Sequence, residues 1–125
     1  MAITWFNEKP KEGVATLSSN SITLNKTATT FFEHAYSVML GINEGNQQIV
    51  IKPLLKAEAM RQDIPQRKKY RITVRASYAR ISNKAFMSEI SELFNIDLSE
   101  EAKKFPTSWD KKEGIFCIDL RGNVK

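Results

Sequence analysis

Two short stretches of this 125-residue chain share one pattern, and that pattern limits the fold more than any other feature. Residues 21–28 have the sequence S-I-T-L-N-K-T-A, and residues 79–86 have the sequence A-R-I-S-N-K-A-F. In both, an extended run precedes an Asn-Lys pair and an amphipathic segment follows it. Since an Asn at a helix N-cap accepts hydrogen bonds from the amides of the first turn, Asn25 and Asn83 each predict the start of a helix.

The segments that follow the two stretches also correspond. In an alignment of the halves Phe32 meets Ile90, and further along the chain Ile49 meets Ile115. Each half predicts a strand, an Asn-capped helix and two more strands. We therefore predict an α+β fold in which two βαββ-like halves, produced by an internal duplication, pack into one small barrel or sandwich. The alternative is that two unrelated βαββ pieces look alike because few such units exist.

The length of the chain predicts a single domain over residues 1–125. The halves are expected at about 14–54 and 70–121, with a basic connector at 55–69 between them. Neither half could bury three short strands and one helix alone, so both are expected to share one core. Apolar residues make up 42% of the chain, which is enough to form that core.

The positive charge of the chain is concentrated in its central segment. The formal net charge is +5, but residues 52–84 hold ten basic and two acidic side chains, so the remainder is net negative. A basic segment of this kind favours acidic partners over basic ones.

A predicted strand at residues 70–76 lies inside this segment. Arg71 and Arg75 alternate with Ile72 and Val74, which predicts a half-buried strand with a basic outer face. Neighbouring side chains on one face of a strand are about 7 Å apart, close to the spacing of phosphates along nucleic acid. The predicted phosphate-binding residues are Arg67, Lys68, Lys69, Arg71, Arg75, Arg80 and Lys84. Tyr70 and Tyr78 are expected either to stack on a base or to cover the edge of the core.

Two other interpretations of the basic segment stay open at this point. It is either a solvated surface without a ligand, which is common in proteins, or the docking surface for an acidic protein.

No pattern in the sequence predicts catalysis. His34 is the only histidine and has no cysteine or histidine neighbour at a metal-binding spacing. Cys117 lies in an apolar strand, which indicates a buried structural thiol rather than a nucleophile. We therefore expect that the protein is not an enzyme and has no cofactor, metal site or small-molecule substrate.

The remaining sequence signals concern location and assembly. The single cysteine excludes an intrachain disulfide, no secretion signal is evident at the start, and no apolar run is long enough to span a bilayer. We expect a cytoplasmic protein without membrane contact. Trp5 and Phe6 predict either an N-terminal strand or an interface with another subunit, so a homo-oligomer stays open.

The stretch S-I-T-L-N-K, the short helix after it and the run V-M-L-G-I-N-E-G-N-Q-Q-I-V-I-K-P together resemble the swapped-hairpin unit of the AbrB-type transcription factors. The resemblance covers about residues 14–53 and extends more faintly to 79–120. Two such units in one chain are similar to the tandem repeats of the MraZ proteins. This chain departs from the family pattern in having Asn25 and Asn83 where proline is usual, and Ser21 where arginine is common.

The resemblance implies a bacterial DNA-binding protein or transcriptional regulator that uses the basic face. The alternative function is a protein-interaction module that binds no nucleic acid.

Overall fold

The computed structural model describes residues 2–5, 12–60, 65 and 69–122. Within these ranges the chain forms eight strands, three α-helices and one 3-10 helix. The strands are β1 (Val14–Leu17), β2 (Ser21–Leu24), β3 (Ser37–Asn43), β4 (Gln48–Leu54), β5 (Thr73–Val74), β6 (Ala79–Ser82), β7 (Lys103–Asp110) and β8 (Ile115–Asp119). The helices are α1 (Lys26–Thr29), a 3-10 turn (Thr30–Phe32), α2 (Lys56–Ala59) and α3 (Lys84–Leu93).

The predicted α+β class with two βαββ halves is wrong, because the fold is mainly β. The eight strands form one antiparallel sheet in the order β3-β4-β8-β7-β1-β2-β6-β5, which curls into a half-barrel. The helices connect strands and are short, since α1 has four residues and α3 has ten. Only the first part of the amphipathic segment that follows Asn25 is helical. In the structure helical geometry ends at Phe32, and the chain enters β3 at Ser37.

The two predicted helix caps are confirmed, and they differ in the number of contacts that they make. The Asn25 Oδ1 accepts from the backbone amide of Ala28 at 3.0 Å and from that of Val14 at 3.1 Å. The Asn25 Nδ2 donates to the carbonyl oxygen of Glu12 at 2.9 Å. Asn83 accepts from the amide of Phe86 at 3.0 Å. Asn25 therefore ties the start of β1 to α1, whereas Asn83 caps its own helix.

The same element order occurs twice along the chain, as hairpin, Asn-capped helix and hairpin. The last two strands that the sequence predicts for each half form the hairpins β3–β4 and β7–β8, with four-residue turns at 44–47 and 111–114. Each turn ends in a residue with positive φ, Gln47 (52°) and Gly114 (66°). When the two halves are aligned by these turns, Ile49 is equivalent to Phe116. In the sequence alignment Ile49 was equivalent to Ile115, one position earlier. The segments interleave, since β2 pairs with β6 and β4 pairs with β8.

One continuous hydrophobic cluster lies inside the curled sheet. At its centre the rings of Phe32 and Phe116 meet edge to face, with centroids 5.2 Å apart. An isolated bridge links the edge strand β3 to the segment before β5, the other edge strand. In it the amides and carbonyl oxygens of Val38 and Tyr70 exchange hydrogen bonds of 2.9 and 2.8 Å. We call this junction the seam.

Among the described residues, no helix has the length and the apolar character that crossing a membrane would require.

Candidate nucleic-acid interface

The alternation of side chains in β2 and β6 determines which residues face outward. Ile22 and Leu24 of β2, and Ala79 and Ile81 of β6, are buried in the core. Their neighbours along the strands therefore lie on the outer surface of the sheet. These outward residues carry hydroxyl groups or positive charge, and they are Ser21, Thr23, Arg80 and Ser82.

Strand register places Arg80 at the centre of a polar row across the sheet. Arg80 lies opposite Thr23 on one side and Thr73 on the other, and Thr23 lies opposite Thr16 of β1. The Arg80 Nε donates to the Thr23 Oγ1 at 3.4 Å, and its guanidinium carbon lies 5.7 Å from the centre of the Tyr78 ring. These contacts orient the guanidinium, while the side chain stays exposed to solvent.

The strands of this half of the sheet carry no acidic residue. Residues 13–25 and 69–84, which contain β1, β2, β5 and β6, hold five basic side chains and no Asp or Glu. Within the described part of the chain, Arg71, Arg75 and Arg80 form no ion pair. Their charge is therefore available to an external anion. We call the outward side of these four strands, with Arg71, Arg75, Arg80 and Lys84, the basic face.

The structure brings some of the predicted phosphate-binding residues together and separates others. Arg71 and Arg75 are exposed while Ile72 and Val74 pack against the core, which confirms the predicted alternation. The strand itself covers only Thr73–Val74 and not the predicted residues 70–76. Arg80 and Lys84 share a polar cleft of about 480 Å³ that is also lined by Asn20, Ser21, Ser82 and Asn83. Arg67 and Lys68 lie outside the described residues.

Lys69 has a different environment from the other cations. It is half-buried, and its ammonium group donates a hydrogen bond to the carbonyl oxygen of Ala59 at the end of α2. This contact fixes α2 against the segment before β5, so Lys69 has a positioning role in the described structure.

The hydroxyl side chains of the basic face were not recognised in the sequence. Thr23 lies beside Arg80 only through the pairing of β2 with β6, which are distant in the chain, and Thr16 lies beside Thr23 in β1. No local pattern could have identified them. Lys104 of β7, which lies opposite Thr16, extends the same row and was missed for the same reason.

Acidic residues border the basic face at the side of α3. Glu92 and Asp97 line a cleft with Ser19 and Lys84. Hydrogen bonds from the hydroxyl and amide of Ser99 hold the pKa of the Asp97 carboxyl below its usual value, so this carboxyl is charged at neutral pH. Negatively charged side chains therefore border the basic face on the side of α3.

Comparisons of this chain with protein-family models, with curated proteins and with solved structures found no match.

Cys117 is buried in β8, as the sequence predicted. Burial raises the pKa of its thiol, and the negative charge of Asp110 adds to that effect, while a hydrogen bond with Ser108 opposes it.

Because the pKa of the Cys117 thiol is raised in the folded protein, the native state retains the thiol proton at a pH where the unfolded chain loses it. The free energy of unfolding therefore falls as the pH rises above the pKa of the unfolded thiol, about 8.5. Unfolding in urea at pH 8 and pH 10 should show this loss in the wild type and a smaller loss in Cys117→Ala. Equal losses in both proteins would contradict the assignment.

Proposed function

We propose that this protein binds DNA through the basic face, as a regulator of the AbrB-like kind would. One observation carries the proposal, namely that four adjacent strands and the residues flanking β5 present exposed arginines and hydroxyl groups without an acidic residue among them. Phosphate contacts supply most of the affinity of a protein for nucleic acid without sequence preference, and arginine, serine and threonine side chains are common donors in such contacts.

The arrangement of the basic face suits the phosphate backbone of a nucleic acid better than it suits a small anion. Arg71 and Arg75 lie beside the edge strand β5, Arg80 lies at the centre of the row, and Lys84 begins α3. The cations are therefore spread along the surface, where each can meet a separate phosphate. The hydroxyls of Thr23 and Thr73, on either side of Arg80, would donate hydrogen bonds to phosphate oxygens.

A salt titration of DNA binding tests this proposal. The variant Arg71→Gln/Arg75→Gln/Arg80→Gln removes three exposed charges from the basic face, and we expect its affinity for duplex DNA to fall at least tenfold at low salt. The slope of log affinity against log salt should decrease by about 0.9 for each phosphate that the variant no longer neutralises. Fluorescence anisotropy with a labelled duplex of random sequence measures both quantities.

The matched control for this experiment removes the same charge from the other half of the sheet. Lys52, Lys111 and Lys112 are exposed and lie in or beside β4 and the turn before β8. The variant Lys52→Gln/Lys111→Gln/Lys112→Gln is expected to keep most of the affinity. If both variants lost affinity equally, binding would depend on total charge and the basic face would not be the site.

A second candidate function is a protein-interaction module. It is supported by Ile3 and Trp5, whose side chains are 63% and 79% exposed although both are strongly apolar. Under this alternative the protein shows no salt-sensitive affinity for DNA, and Trp5→Ser reduces the recovery of a specific protein partner.

A further inference from the structure

A cavity of about 590 Å³ opens at the seam, between the start of β3, the end of α2 and the residues that precede β5. Its volume falls within the range of sites that bind small organic groups. The residues that define it chemically are Tyr36, Ser37, Met60, Lys69, Tyr70 and Arg71. It adjoins the basic face, because Arg71 belongs to both.

Two tyrosines flank the same cavity and remain exposed. Tyr36 keeps 52% of its surface accessible, and Tyr70 keeps 36%. The backbone of Tyr70 is fixed by the bridge to Val38, and the neighbouring Lys69 is fixed by its hydrogen bond to Ala59. Exposed aromatic side chains on a fixed backbone are suited to stacking against a planar ring.

We propose that this cavity receives one unstacked base of a single-stranded nucleic acid. The base lies against Tyr36 and Tyr70, and the adjoining phosphate contacts Arg71. This inference rests on the proposed function and extends it. Bases within a duplex are stacked and paired, so the cavity confers a preference for single strands over duplexes of the same length.

The test compares binding of a labelled 12-nucleotide thymidine strand with binding of a 12-base-pair duplex. We expect Tyr36→Ala to weaken binding of the single strand about tenfold, because it removes the ring on which the base stacks. The control variant Tyr36→Phe keeps the ring, and it should bind as the wild type does. Duplex binding should be unchanged in both variants.

The fold is expected to survive these substitutions, because Tyr36 is 52% exposed. Thermal melting followed by circular dichroism verifies this. Wild-type affinity of Tyr36→Ala for the single strand would overturn the cavity assignment. If the triple arginine variant still lost duplex affinity in that case, the proposed function would stand. No binding of either nucleic acid by the wild type would overturn both.

Discussion

Replacing Phe32 with alanine is expected to lower the free energy of unfolding by about 3–5 kcal/mol. The Phe32 side chain is fully buried, and its ring contacts Phe116 edge to face at 5.2 Å between centroids. The substitution removes the apolar area, leaves a cavity in the close-packed core and eliminates the aromatic pair. Since small domains are stable by about 5–15 kcal/mol, the loss would be a large part of the total. Urea unfolding monitored by circular dichroism measures it.

The adjacent residue provides the matched control for this prediction. Phe31 is 40% exposed and stacks on Trp109 with ring centroids 4.9 Å apart. Phe31→Ala removes the same group next to Phe32 in the chain, and we expect a loss of about 1 kcal/mol, the value of an aromatic pair with partial burial. A loss for Phe31→Ala as large as that for Phe32→Ala would mean that the core is not arranged as described.

Replacing Asn25 with alanine is expected to cost about 2–3 kcal/mol, whereas Asn83→Ala should cost about 1 kcal/mol. Both substitutions remove an N-cap. Only Asn25 also accepts a hydrogen bond from the amide of Val14 and donates one to the carbonyl oxygen of Glu12. Its removal therefore leaves further backbone groups near β1 without partners. Denaturant midpoints of the two variants, measured under identical conditions, give the difference.

The variant Asn25→Asp separates the two contributions of this side chain. Aspartate keeps the acceptor for Ala28 and Val14 but cannot donate to Glu12. We expect a stability between those of the wild type and Asn25→Ala. Equal losses for Asn25→Ala and Asn83→Ala would show that the contacts of Asn25 with β1 contribute nothing.

The sequence predictions were correct for features that depend on nearby residues and wrong for features that depend on residues distant in the chain. The caps at Asn25 and Asn83 and the two strands that end each half were predicted correctly, because each depends on residues that lie close together in the chain. The fold class was wrong because it depends on pairings between distant strands. β1 lies between β2 and β7, and no residue near Val14 indicates a partner at Pro106.

In the candidate site, too, features set by nearby residues could be predicted and features set by strand pairing could not. The outward direction of Arg71 and Arg75 follows from alternation within a few residues, and it could be predicted. The position of Arg80 between Thr23 and Thr73 depends on register across three strands. The cavity at the seam could not be predicted, because its lining comes from three separate segments of the chain that only the fold brings together.

The interleaving of the two halves has a consequence for how this chain reaches its folded state. Each hairpin can form early from neighbouring residues, but β2 must find β6, β4 must find β8, and β1 must find β7, which lies near the other end of the chain. Closing such long loops is entropically costly before any contact repays it. Folding is therefore expected to be slow for a domain of this size, with the hairpins present before the sheet. A chain synthesised only as far as residue 54 would hold two hairpins whose partner strands do not yet exist.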